Sequence, residues 1–202
     1  MRGPGVAGDG EVEGLAAAAA EAMGHAAEAL SALLGLSVRP GAPQVTRLLA
    51  ASAARALQKA PVVETALYFS VAGDPEGALL VFFPPGRARA LASRLTGQPE
   101  AGAGIPGDRE GSALKEAGNI LASAYLSAAS RFAGVALKPS IPHLAPDWGR
   151  AAAEGVLRDL LPTAGTVLVA EVSFGDGRLV QGRVVWLPGT RTRGSLKRGD
   201  GD

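Results

Sequence analysis

The sequence predicts an α/β protein of the α+β kind: a single domain with a pseudo-twofold internal repeat, its one mixed sheet drawn from both halves and covered by two long helices. Three observations lead there. Residues 11–34 and 109–133 both have the composition of long helices. Each is followed by an extended segment punctuated by prolines, and each half closes on a strand–turn–strand pattern.

Residues 1–10 are Gly-rich and are expected to be disordered. The helix over 11–34 sets Leu15, Met23, Leu30, Leu33 and Leu34 among alanines and stops before Gly35, a residue suited to a C-cap. "SVRPGAPQV" is extended, and "TRLLAASAARALQK" has the composition of a short helix. "PVVETALYFSVAG" and "GALLVFFP" are strands joined by "GDPEG". A helix, "GRARALASRLTG", and a Gly/Pro-rich connector, "QPEAGAGIPGD", lead into the second half. There the order recurs: a long helix, extended "VALKPSIPHL", a helix in "DWGRAAAEGVLRDLL", and a hairpin around "GDG" in "GTVLVAEVSFGDGRLVQGRVVWLP". Residues 191–202 form a charged tail, expected to be disordered. The folded domain is therefore placed at 11–190, with repeat halves at about 11–97 and 109–188.

The repeat can be checked residue by residue. At an offset of 99, Ser31 pairs with Ser130, Gly35 with Gly134, Arg39 with Lys138, Pro40 with Pro139, and Pro43 with Pro142. One copy alone has too little apolar surface for an independent core, which favours a single domain.

Composition narrows the chemistry. Twenty basic residues against nineteen acidic ones give a net charge of +1, so no global field draws in nucleic acid or an anionic membrane. The absence of cysteine excludes disulfides, thiolate metal sites and cysteine nucleophiles. Two histidines, His25 and His143, do not make a metal cluster; they read as a surface histidine and as a neighbour of Pro142. The start "MRGPGVAGDGEVEG" lacks the pattern of a secretory signal, and no uncharged apolar run reaches the roughly 20 residues that span a bilayer. A cytoplasmic protein, monomeric and without nucleic-acid or membrane partners, is expected.

The second long helix carries the feature that calls for explanation. At 100° per residue, Ser112, Glu116, Asn119 and Ser123 share one narrow arc, while Leu114, Leu121, Tyr125, Ala128 and Phe132 form the opposite, buried face. The polar arc points outward, and small neighbours (Ala113, Gly118, Ala122) are expected to leave it sterically open. An outward polar arc is also what any solvated helix face looks like, and a bare Glu-x-x-Asn carries little information.

The longer pattern carries more. Ser112-x3-Glu116-x2-Asn119-x22-Pro142 resembles, spacing for spacing, the motif of the CheC/CheX/FliY family of chemotaxis phosphatases. "EAGNILASAYLSAASRFAGVALKPSIPHLAPD" resembles that family's second long helix and following strand, and "HAAEALSALLG" the end of its first. The repeat layout is similar over nearly all of residues 11–187.

The resemblance implies an activity, hydrolysis of the aspartyl phosphate of a phosphorylated CheY-type response regulator. The regulator would bring its own Mg²⁺, so this chain is expected to need no cofactor or metal of its own. What remains is to place a water in line with the P–O bond, a matter of positioning. A carboxamide offers an acceptor and two donors without charge, which suits Asn119 to that role. By resemblance Glu116 would pair with a lysine of the regulator, Ser112 would make a supporting contact, and Pro142 would hold the extended segment beside the helix. Family members with two sites repeat the Glu and Asn in both halves. Here the offset maps Glu116 to Ala17 and Asn119 to Ala20, so the first site is expected to be degenerate and the second alone competent. The alternative reading is a largely non-catalytic adaptor that binds the receptor deamidase CheD, as CheC-type proteins do. A flagellar-switch component resembling FliY would normally add a C-terminal domain, and the short tail after Trp186 weighs against it.

Overall fold

The computed structural model describes residues 9–57, 64–73, 76–98, 107–148 and 166–188. In chain order the elements are α1 (Asp9–Leu34), β1 (Arg39–Pro40), β2 (Gln44–Leu49), α2 (Ala50–Leu57), β3 (Glu64–Ala72), β4 (Gly77–Phe83), α3 (Arg87–Thr96), α4 (Asp108–Ala133), β5 (Lys138–Pro139), β6 (His143–Trp148), β7 (Thr166–Gly175) and β8 (Gln181–Leu187).

One sheet takes strands from both halves. Its path is β1-β7-β8-β4-β3-β5, with β2 also on β7 and β6 also on β3. The halves exchange edges. The first-half strands β1 and β2 lie on the second-half hairpin, and the second-half strands β5 and β6 lie on the first-half hairpin. The hairpins meet at the centre through β4 and β8. This is a pseudo-twofold arrangement, and neither half has a complete sheet without the other. Every strand pair among the described residues is antiparallel, so the sheet is not the mixed one expected. The correction has a simple cause. Each extended segment after a long helix runs back antiparallel to the hairpin strand it joins, and no parallel crossover is made.

Two other boundaries differ from the sequence reading. Helix α1 opens at Asp9, two residues inside the stretch read as disordered. "TRLLAASAARALQK" divides: Thr46–Leu49 finish β2 in continuous register with β7, and only Ala50–Leu57 are helical. The ladder partner overrides the helix propensity of that stretch. Likewise Asp147 and Trp148 close β6; the rest of the helix expected there, the "GDPEG" turn at Asp74 and Pro75, and the two chain ends lie outside the described residues.

The sheet has two apolar faces. Helices α1 and α4 pack side by side on one, with α3 against α4. Alanines 18, 19, 22, 26 and 27, with Met23 and Leu30, share that core with Leu67, Phe69, Leu79, Val81 and Val184. Small side chains let two long helices sit close together and low over the strands. The opposite face carries α2, with Leu57, Phe82, Trp148 and Val185. Beside that second core Arg183 is 8% exposed. Its guanidinium donates to Glu64 at 2.7 Å and to the Leu57 carbonyl at 3.0 Å, lies 3.7 Å from Glu171, and stacks 3.9 Å over the Phe82 ring. This buried cation ties β3, β7 and β8 together.

The repeat is visible in single hydrogen bonds. Ser31 Oγ donates to the Ala27 carbonyl at 2.7 Å and accepts the Val38 N–H at 2.9 Å. Ser130 Oγ donates to the Leu126 carbonyl at 2.6 Å and accepts the Leu137 N–H at 2.9 Å. Gly35 and Gly134, with φ of 64° and 67°, close the two helices in the left-handed region.

Candidate functional site

Helix α4 is fixed in height by Gly118. A Cβ there would overlap Leu67 Cδ1 and come within 3.5 Å of the Phe69 ring, so the helix backbone rests directly on β3. Gly111 lies in the same way against Leu144 of β6. The buried stripe is Leu114, Ala117, Leu121, Ala122, Tyr125, Leu126, Ala128 and Ala129. Burial pushes the Tyr125 hydroxyl well above its ordinary pKa, and its ring meets Trp186 edge-on at 6.0 Å. The sequence reading also put Phe132 on this face; it is 47% exposed.

With that stripe turned inward, Ser112, Glu116, Asn119 and Ser123 are all exposed. Among the described residues neither the Glu116 carboxylate nor the Asn119 amide has a hydrogen-bond or ion-pair partner. The two stand one turn apart on a convex surface, open to a second molecule. Ser112 Oγ donates to the Asp108 carbonyl at 2.8 Å and lines a shallow hollow with Thr96, Gln98, Asp108 and Arg109, toward the helix start. The small neighbours act differently from the expectation. Gly118 and Ala122 are buried under the helix, Gly118 setting its distance from the sheet, and of the three only Ala113 flanks the arc half-exposed.

Pro142 lies half-buried in the turn before β6. Its place relative to the arc follows from two anchors. The Leu137 N–H is held by Ser130 Oγ, and Leu144 lies against Gly111. The extended chain from 137 to 144 advances about 23 Å while α4 between those anchors advances about 28 Å, so the two run side by side in opposite directions. Residues 141 and 142 then fall level with about residues 119 and 116. The spacing of Asn119 and Pro142 in the motif thus has a geometric basis, which depends on Ser130. The sequence pairs Ser130 with Ser31 and gives it no role; that matched pair is the signal from which its anchoring part could have been found.

The first half presents a different surface. Ala17 and Ala20 are exposed on α1, where the offset of 99 puts the counterparts of Glu116 and Asn119. Methyl groups there offer neither charge nor hydrogen bonds. Glu21 is exposed one residue out of phase. His25 is a surface residue 3.8 Å from Glu28, and His143 stacks on Tyr68 with ring centroids 5.9 Å apart. Among the described residues no group of three or more His, Asp or Glu is placed to hold a metal ion, and no helix is long and apolar enough to cross a membrane.

The fold is that of the CheC/CheX/FliY group: FliY of Thermotoga maritima superimposes with a TM-score of 0.71 at 18% identity, covering 92% of this chain and 93% of that one. CheX of Desulfovibrio desulfuricans gives 0.57 at 16% identity over 85% of this chain and 99% of that one. FliM in a FliG–FliM complex from H. pylori gives 0.64 at 11% identity over 90% and 94%. The sequence resembles CheC. It is 28% identical over 156 residues to the CheY-P phosphatase CheC of Bacillus subtilis (strain 168), spanning 76% of this chain and 74% of that protein. No family model matches the chain.

Proposed function

We propose that this protein hydrolyses the aspartyl phosphate of a CheY-type response regulator through a single site, Glu116 and Asn119 on α4. The observation that carries the reading is the exposure of an unpartnered carboxylate and amide, one turn apart, on a convex face backed by a rigid core. Such a pair is placed to enter another molecule's cleft. The similarity to the B. subtilis CheY-P phosphatase CheC supports the same reading.

In this mechanism Asn119 accepts from a water and donates to a phosphoryl oxygen, fixing the water opposite the leaving carboxylate. The water oxygen bonds to phosphorus as the bond to the aspartate oxygen breaks. The products are inorganic phosphate, which takes up the water's remaining proton or passes it to solvent, and the free carboxylate. A divalent cation held by the regulator would supply neutralisation of phosphoryl charge, leaving Asn119 the task of positioning the water. Glu116 pairs with a cationic side chain at the rim of the regulator's site and sets the register of docking. Ser112 supports that docking, and Pro142 keeps the neighbouring segment extended. The protein works in the cytoplasm as a monomer.

The loss of Glu and Asn from α1 and the likeness to FliM favour a second reading, a largely non-catalytic adaptor or switch-type module, with CheD as one partner. Regulator dephosphorylation separates the two. Catalysis predicts that wild type accelerates phosphate loss, that Glu116→Ala raises the concentration needed, and that Asn119→Ala lowers the maximal rate while binding persists. A wild-type protein that binds a partner but leaves regulator dephosphorylation at its spontaneous rate establishes the adaptor.

A further inference from the structure

The turn that carries Pro142 also displays the most exposed large apolar side chain among the described residues. Ile141 is 78% exposed, against 39–62% for Leu33, Phe132 and Leu49. It is held in place by its neighbours. The Ser140 N–H donates to the Ser70 carbonyl at 2.8 Å, the Ser70 N–H donates to Ser140 Oγ at 3.1 Å, and Ser140 Oγ donates to the Ile141 carbonyl at 2.9 Å. Pro142 then fixes the next backbone angle. An isoleucine on a pinned turn loses little conformational freedom when it is covered, so burying it in a partner yields a larger net gain than burying one on a mobile loop.

Two further observations tie this residue to the site. The anchors at Leu137 and Leu144 put position 141 level with about Asn119 on the adjacent helix. The repeat provides an internal comparison as well. The first-half turn is pinned alike, with the Gly41 N–H donating to the Ser173 carbonyl at 2.7 Å, yet the counterpart of Ile141 is the exposed Ala42. The half with Ala17 and Ala20 thus has alanine at all three positions, and the half with Glu116 and Asn119 has the isoleucine. The fold does not require a large side chain at that turn.

We infer that Ile141 is an apolar docking anchor for the phosphorylated receiver domain, seated in a hydrophobic notch beside the phospho-aspartate while Glu116 and Asn119 engage it. This rests on the phosphatase reading. Ile141 governs how tightly the regulator is held and Asn119 governs how fast the bound phosphate is lost.

The test titrates wild type, Ile141→Ser, Leu49→Ser and Ala42→Ile against a CheY-type regulator in two ways: decay of its phosphate, and binding to the beryllofluoride-activated form. Ile141→Ser is expected to raise both the half-maximal concentration and the dissociation constant about tenfold, with the maximal rate within twofold of wild type and the melting temperature unchanged. Leu49→Ser and Ala42→Ile are expected to titrate like wild type. If wild type is active and Ile141→Ser titrates identically, or loses maximal rate alone, the anchor is refuted and the phosphatase reading stands. If wild type neither accelerates decay nor binds the activated regulator, both fall together.

Discussion

The two halves of the molecule are built with the same devices and carry different surfaces. Ser31 and Ser130 pin the chain after each long helix through matching bonds, Gly35 and Gly134 close those helices, and each half lends edge strands to the other's hairpin. On α1 the exposed positions are Ala17 and Ala20; on α4 they are Glu116 and Asn119. None of these four side chains is in the core, and the α1 half folds without a carboxylate or an amide there. The difference teaches that this scaffold tolerates either surface, so the fold itself does not require a carboxylate and an amide on α4.

The comparison can be broken most sharply by charge. Glu116→Lys should abolish acceleration of regulator dephosphorylation by setting like charges against each other at the docking site, whereas Ala17→Lys should leave the rate unchanged. Next comes packing. Gly118→Ala should destabilise the protein by about 1–3 kcal/mol because the added methyl meets Leu67, while Ala19→Gly, at the equivalent buried position of α1, should cost about 1 kcal/mol through helix propensity. Chemical denaturation measures both. The serine anchors sharpen the contrast: Ser31→Ala and Ser130→Ala should each cost about 1 kcal/mol, and only Ser130→Ala should also slow the dephosphorylation.

The smallest effect is confined to the second hairpin. The N–H groups of Arg178, Val180 and Leu179 hold the Asp176 carboxyl below its ordinary pKa. Its folded pKa is depressed, so its contribution is complete above the ordinary carboxylate range and is lost as pH falls through the lowered value. Melting curves of wild type and Asp176→Ala should differ slightly at neutral pH and converge in acid.

Much of this was legible in the sequence because the repeat supplied its own control. Prolines and glycines recurring at one offset mark backbone positions that a twofold scaffold needs twice, and the outward arc of α4 followed from helical periodicity. The strand character of Thr46–Leu49 was not legible, because it depends on a ladder to β7 more than a hundred residues away. The wholly antiparallel sheet was hidden for the same reason: strand direction is fixed by the exchange of edges between halves. At the site, the arc could be read and the turn beside it could not. That position 141 falls level with about Asn119 depends on Ser130 and Gly111 holding the two ends of the intervening chain, a tertiary fact with no local pattern.

The most direct measurement is the first-order loss of phosphate from a purified CheY-type regulator at saturating wild type or Asn119→Ala, with folding of both checked by their melting temperatures. The account predicts that wild type accelerates the decay by about a hundredfold or more and that Asn119→Ala, equally stable and still bound, returns it to the regulator's own rate. An Asn119→Ala protein as fast as wild type would contradict it.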